Sequence, residues 1–155
     1  MFVTSLARAL RIIILPALFL MTLFAGDVRA SVDTDFLEAN KKKSGVVVTS
    51  SGLQYRILRE GKGRRPDAGD AVEVNYKGTL VNGKVFDSSY DRGQSISFPL
   101  NRVISGWMEG LQLMKEGAKY ELVIPASLGY GAGGAGGSIP PNATLIFIVE
   151  LLKVL

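Results

Sequence analysis

An α+β fold, with an antiparallel sheet of five to six strands wrapped around one short amphipathic helix, is predicted by three patterns in the chain. Val72, Val74 and Tyr76 alternate with Glu73, Asn75 and Lys77, the period of a strand with one buried face. Asn82-Gly83 follows, the dipeptide best suited to a tight hairpin, and Lys84-Val85-Phe86 resumes the extended pattern. Between Gly106 and Glu116 the period lengthens, with Trp107, Leu111 and Met114 at i, i+4 and i+7 on one helical face.

The remaining elements fall around these three. Leu53, Tyr55 and Ile57 alternate with Gln54, Arg56 and Leu58 and predict an earlier strand with one buried face. Gly61 to Gly69, charged and containing Pro66, reads as a loop. Ile96 and Phe98 suggest a short strand. The helix, expected to be the one convincing helix of the mature domain, is stopped by Gly117 in the usual C-terminal position. Tyr120 to Ile124 returns to strand, Gly129 to Gly137 is a glycine-rich loop closed by Ile139-Pro140-Pro141, and Thr144 to Val154 is a long apolar final strand. Ahead of them, Asp33 to Asn40 has acidic residues early and lysines after it, as a short helix with a favourable dipole would. It belongs to an extension, residues 31–50, too short to be a domain; the main domain spans 51–155.

The N-terminus carries a different signal. Arg8 and Arg11 precede the uncharged run Ile12 to Phe24, and Val28-Arg29-Ala30 offers small residues where a signal peptidase reads. This predicts a cleaved secretory signal over residues 1–30, a mature start at Ser31 and a periplasmic or secreted protein. A membrane anchor is the rival reading, but the run is interrupted by Pro16 and falls short of the ~20 residues a spanning helix needs. No membrane insertion is expected after cleavage. Loss of Arg8, Arg11, Arg29 and Asp27 lowers the net charge from +4 to +2, so the basic character of the precursor overstates any case for nucleic acid. Lys41 to Lys43 and the residues Arg56, Arg59, Lys62, Arg64 and Arg65 read as solvated surface, with no nucleic-acid partner expected.

At 155 residues and 47% apolar content the chain has room for one well-packed domain. It contains no cysteine and no histidine. Thiol nucleophiles, Ser-His-Asp triads, disulfide exchange and His/Cys metal sets are thereby excluded, and no metal or cofactor is expected. Chemistry is left to carboxylates, Tyr, Ser, Lys, backbone dipoles or shape. Gly129-Tyr130-Gly131-Ala132-Gly133-Gly134 satisfies G-x-G-x-x-G, but Ser138-Ile139-Pro140-Pro141 blocks the helix a dinucleotide site requires. No Gly-Lys-Ser/Thr follows to make a phosphate loop.

The segment Val74 to Asp91, taken with Val103-Ile104-Ser105-Gly106-Trp107 and with Tyr130 through Phe147, resembles the binding site of the FK506-binding-protein (FKBP) family of peptidyl-prolyl cis/trans isomerases. The resemblance runs from about Ser51 to Leu155. It implies one apolar cleft walled by Tyr76, Phe86, Phe98, Trp107, Tyr130, Ile139 and Phe147, residues that singly read as core. Trp107 would form the floor, Val103 and Ile104 the rim, and the Ile104 N–H would meet a substrate carbonyl. Asp87 would line the cleft with Tyr76 and Tyr130, held ionised by Arg92, and Ile96 would be a further wall where relatives usually carry an aromatic ring. The catalytic set implied is Tyr76, Phe86, Asp87, Ile104, Trp107, Tyr130 and Phe147; the substrate-binding set is Arg92, Ile96, Val103 and Ile139.

The partners implied are proline-containing polypeptides and macrolide inhibitors of the FK506/rapamycin type. Ala135 stands at the loop tip where vertebrate relatives often carry histidine, and Pro99-Leu100-Asn101-Arg102 is shorter than in those forms; both bear on affinity and sequence preference. The lead-in Phe36 to Lys43 is similar to the exported bacterial branch, including macrophage-infectivity-potentiator-like proteins. With no room for their long dimerising helix, a monomer is expected. Rotation about X–Pro bonds during folding of exported proteins is the activity implied; a low-turnover proline-binding module or holdase using the same cleft is the alternative.

Overall fold

The computed structural model of the protein describes residues 24–155. Arg8, Arg11 and most of the apolar run lie outside the described residues. In chain order the elements are α1 (Phe24–Asn40), β1 (Val46–Val48), β2 (Gln54–Arg59), β3 (Ala71–Leu80), β4 (Val85–Ser88), α2 (Ser89–Arg92), β5 (Ile96–Pro99), α3 (Ser105–Gln112), β6 (Lys119–Ile124) and β7 (Leu145–Val154). The strands form one antiparallel sheet in the order β1-β2-β6-β7-β3-β4, and β5 also pairs with β3. β3 is therefore central: β7 runs along it from Val72 to Leu80, while its other edge is shared by β5 at Ala71–Val74 and β4 at Lys77–Thr79.

The alternation read in β3 is present, with Val72, Val74 and Tyr76 buried beneath α3 and their neighbours turned outward. β3 and β4 are joined by the expected hairpin, closed by Leu80 N–H to Lys84 O at 2.9 Å and by Asn82 Oδ1 accepting the Lys84 N–H at 3.0 Å. Trp107, Leu111 and Met114 face the sheet and join a core of Leu53, Val74, Leu122, Ile124, Leu145, Val149 and Leu151.

Several elements differ from the sequence reading. Among the described residues the sheet has seven strands, the addition being the three-residue edge strand β1. The one-faced pattern read for β2 fails at both ends: Gln54 is buried and Ile57 is 42% exposed. The amphipathic period assumed that only one face is covered. Here α1 covers the other side at Gln54, whose Nε2 donates to Leu37 O at 3.0 Å and whose Oε1 accepts from Asn40 Nδ2 at 2.9 Å. Further along, a register shift between Ile57 and Arg59 carries β2 beyond the core. α1 is thus a second substantial helix. It runs unbroken through the expected cleavage point.

α3 ends at Gln112 rather than at Glu116. Its last bonds are i to i−3, Leu113 N–H to Gly110 O and Met114 N–H to Leu111 O, both 3.1 Å, and this tightening turns Met114 fully into the core. Gly117, with φ 87°, lies in the following turn, where its N–H reaches Leu151 O at 2.8 Å. The basic residues largely find carboxylates on the surface: Arg56 meets Glu121 at 3.2 Å, Arg64 meets Asp70 at 2.7 Å, and Arg59 pairs with Glu150.

α1 is fastened at a second point. Asp33 is 7% exposed and its Oδ2 accepts the buried backbone N–H of Thr144 at 2.8 Å. Asp33→Ala strands that N–H without a partner, and a loss of about 1–3 kcal/mol is expected from the urea midpoint of the folded chain. Asp35→Ala, at an exposed position of the same helix, serves as the control and is expected to stay within ~0.5 kcal/mol of wild type.

Candidate active site

Four segments converge on one cavity of about 480 Å³ above the N-terminal end of α3. β3 and β4 supply Tyr76, Phe86 and Asp87, α3 supplies Trp107, and β7 supplies Phe147. The rings pack edge to face. Trp107 lies 5.1 Å from Tyr76 at 85° and 5.1 Å from Phe147 at 82°, and Phe86 meets Phe147 at 5.4 Å and 90°. Such perpendicular contacts suit the ring quadrupoles and fix the walls' orientation. The buried Trp107 indole N–H has no hydrogen-bond partner among the described residues, so the floor is held by packing alone.

All of the expected site residues except Arg92 border this cavity, with Ile96, Val103, Ile104, Tyr130 and Ile139 completing the rim. Tyr130 is 43% exposed, whereas Ile139 is buried. Ile104 caps α3: its carbonyl accepts the N–H groups of Trp107 at 3.0 Å and Met108 at 3.1 Å. Among the described residues its own N–H donates to no protein acceptor. Phe98, a wall in the reading above, tilts against Trp107 at 5.3 Å. The glycine-rich loop carrying Tyr130 and Ile139 is braced by paired bonds between Ala135 and Ile139 at 2.9 and 3.1 Å and by Asn142 N–H to Gly131 O at 2.8 Å.

Arg92 stands behind the wall. α2 puts it there: Ser88 caps the single turn by accepting the Asp91 N–H at 3.2 Å, and Gly93, with φ 67°, ends it. The Tyr76 hydroxyl donates to Asp87, Arg92 Nη1 pairs with the same carboxylate, and Arg92 Nη2 donates to the Tyr76 hydroxyl at 3.0 Å. The three side chains form a closed ring.

A profile described as FKBP-type peptidyl-prolyl cis-trans isomerase matches residues 62–152, more than half of the chain. The chain belongs to that family. A second profile, the domain amino terminal to FKBP-type peptidyl-prolyl isomerase, matches residues 26–57 and so begins within α1. The FKBP-type chain is 52% identical over 126 residues to the FKBP-type 22 kDa peptidyl-prolyl cis-trans isomerase of Escherichia coli K12, covering 81% of this chain and 61% of that one. The crystal structure of FkpA from Escherichia coli superposes with a TM-score of 0.81 at 47% identity, covering 85% of this chain and 62% of that one. A peptidyl-prolyl cis-trans isomerase structure from Pseudomonas syringae gives 0.77 at 42% identity, covering 83% and 94%. Against the curated relatives, this FKBP-type chain spans 44% to 61% of their length.

Four cavity residues of the FKBP domain stand outside the catalytic and substrate-binding sets read from sequence: Arg102 and Ser138, Phe98, which was read only as a wall, and Ala135, which was noted only as a departure. Arg102 closes a 3-10 turn, Leu100–Arg102, whose one apolar residue gave no periodicity to read. Gly78 was also missed. A Cβ there would sit 2.6 Å from Phe86 and 2.7 Å from Phe147, so its absence lets the two rings close on β3.

Burial works against ionisation of Asp87, but the hydrogen bonds from Tyr76 and Arg92 and the Arg92 charge outweigh it and hold the carboxyl below its ordinary value. Burial, then the bond to Asp87, push the Tyr76 hydroxyl up. Both groups therefore keep one protonation state from pH 6 to 8. For a lowered carboxyl the stability is present above the unfolded value of about 3.9 and is lost as pH falls through the folded one. An NMR titration of the Asp87 carboxyl should show a midpoint below 3.9, moving upward in Arg92→Ala. A wild-type midpoint at or above 3.9 contradicts the closed ring.

Proposed function

We propose that the chain is a peptidyl-prolyl cis/trans isomerase acting on proline-containing polypeptides outside the cytoplasm. The observation that carries this is the aromatic cleft over Trp107, closed to acid–base chemistry by the ring of Tyr76, Asp87 and Arg92. Rotation about an X–Pro bond faces a barrier of ~18–20 kcal/mol, yet no covalent bond is made or broken. The planar amide is the more polar form and is favoured by water. The twisted amide has less charge separation, so a dry apolar cleft binds it preferentially and lowers the barrier.

Each residue then has a physical task. Tyr76, Phe86, Trp107 and Phe147 exclude water from the prolyl ring, with Ile96, Val103 and Ile139 extending the wall. The free Ile104 N–H and the exposed Tyr130 hydroxyl donate to carbonyls flanking the proline. Asp87 stays ionised with Tyr76 and Arg92 bonded to its oxygens, which orients the Tyr76 ring rather than moving a proton. Activity is accordingly flat between about pH 6 and 8.

Asp87→Leu and Phe86→Ala are expected to lower kcat/KM on a proline tetrapeptide about tenfold or more with circular dichroism unchanged, a loss of ~1.4 kcal/mol in transition-state binding. A macrolide of the FK506 type should inhibit and alter Trp107 emission over one concentration range. Wild-type rates in both folded variants remove the site assignment; peptide binding without turnover in wild type makes the chain a binding module or holdase.

Export rests on Arg8, Arg11, the apolar run and Val28-Arg29-Ala30. No helix among the described residues is long and apolar enough to cross a membrane. The mature protein is proposed to begin at Ser31, to be released by osmotic shock and to be monomeric, without nucleic acid. Mass spectrometry of the released protein should find Ser31 first. Recovery of an intact Met1 form from the membrane fraction identifies the segment as an anchor instead.

A further inference from the structure

We infer that Arg102 gives the cleft a preference for proline sequences that carry an acidic side chain within two or three residues of the proline. The inference rests on the isomerase reading and names the substrate class of that same site. Arg102 borders the cavity and is exposed, at the end of the 3-10 turn Leu100–Arg102. Its position on the rim is fixed from both sides. Leu100 is fully buried, with its N–H on Asp70 O at 3.0 Å, and Val103 packs against the core.

The charge balance of the cleft makes this guanidinium distinctive. Asp87, the one carboxylate bordering the cavity among the described residues, is already neutralised by Arg92. Among the described residues Arg56, Arg59, Arg64 and Arg92 each pair with a carboxylate, while Arg65 and Arg102 have none within ion-pair distance, and of these two Arg102 is the one that borders the cavity. One uncompensated positive charge thus stands beside an apolar wall, where its field is less screened than on an open surface. Arg102 lies two residues before Ile104, a span of at most about 7 Å along the chain. A substrate carbonyl held by the Ile104 N–H therefore brings side chains close to the proline within reach of the guanidinium. Glutamate or aspartate there gains an ion pair; lysine meets repulsion.

The test is a set of peptides with one proline and a single Glu, Gln or Lys placed at each position from three before it to three after. Isomerisation is followed at low ionic strength with the full mature protein. At one or two positions kcat/KM should favour Glu over Lys by about two- to five-fold, the scale of an exposed ion pair. Raising salt to 1 M, where the Debye length is about 3 Å, should remove the difference. R102E should invert the order and R102K should keep it. Equal kcat/KM for Glu and Lys at every position, with isomerisation proceeding, overturns the inference and leaves the isomerase reading intact. A preference unchanged in R102E also overturns it. No turnover of any peptide overturns the isomerase reading and this inference with it.

Discussion

The closeness with which α3 approaches the sheet decides the shape of everything above it. Two glycines one helical turn apart permit that approach: a Cβ on Gly106 would lie 2.5 Å from Ile124 Cγ2, and one on Gly110 would lie 2.7 Å from Leu122 Cδ1. With side chains there either Ile124 and Leu122 would have to repack or the helix would have to lift from β6, and overpacking of this kind costs about 1–3 kcal/mol. Lifting would also raise Trp107, which sits between the two glycines in sequence and meets Tyr76 and Phe147 at 5.1 Å. Because no hydrogen bond from the described residues holds the indole, packing defines the height of the cleft floor. The two glycines are therefore site residues although they never touch the cavity.

A carboxylate at the edge of an aromatic wall would normally be costly, since burial favours its neutral form. Here the cost is met by donors from three directions of the chain: Tyr76 on β3, Arg92 on α2, and the backbone of the cap at Ser88. The Asp87–Arg92 pair is partly exposed, with 42% and 48% of the two side chains accessible, so its contribution to stability is small. Its effect is geometric. By accepting the Tyr76 hydroxyl it keeps that ring edge-on to Trp107 and leaves the cleft without a titrating group near neutral pH.

The legibility of this arrangement varies with what each feature depends on. β3, its hairpin and the buried face of α3 were readable because each is fixed by a local period or a turn dipeptide. The seating of Tyr76, Phe86, Trp107 and Phe147 around one cavity was readable only through the family resemblance, since each ring alone also fits a core. β2 was misread because its covering comes from α1, which is remote in sequence. The end of α3 was misread because Gly117 suits a helix stop but is used in the next turn. α2 had an overlooked local signature, Ser88 as cap, Asp91 three residues on and Gly93 after it. The glycine contacts and Arg102 had none, as both depend on what lies across the fold.

α1 joins the N-terminal region to the loop over the cleft, and its contacts bear on the expected processing. Asp33, Leu37 and Asn40 make the described bonds to Thr144 and Gln54. They stand at i, i+4 and i+7, one face of the helix, and all lie after Ala30. Cleavage before Ser31 would remove the first seven residues of α1 and the bond from Thr34 Oγ1 to Ala30 O, while leaving that whole face attached. Thr144 begins the approach to β7 directly after the loop that carries Tyr130 and Ile139. A mature chain shortened in this way keeps the fastening at the base of that loop, so export and the geometry of the cleft are compatible even though the helix crosses the cut.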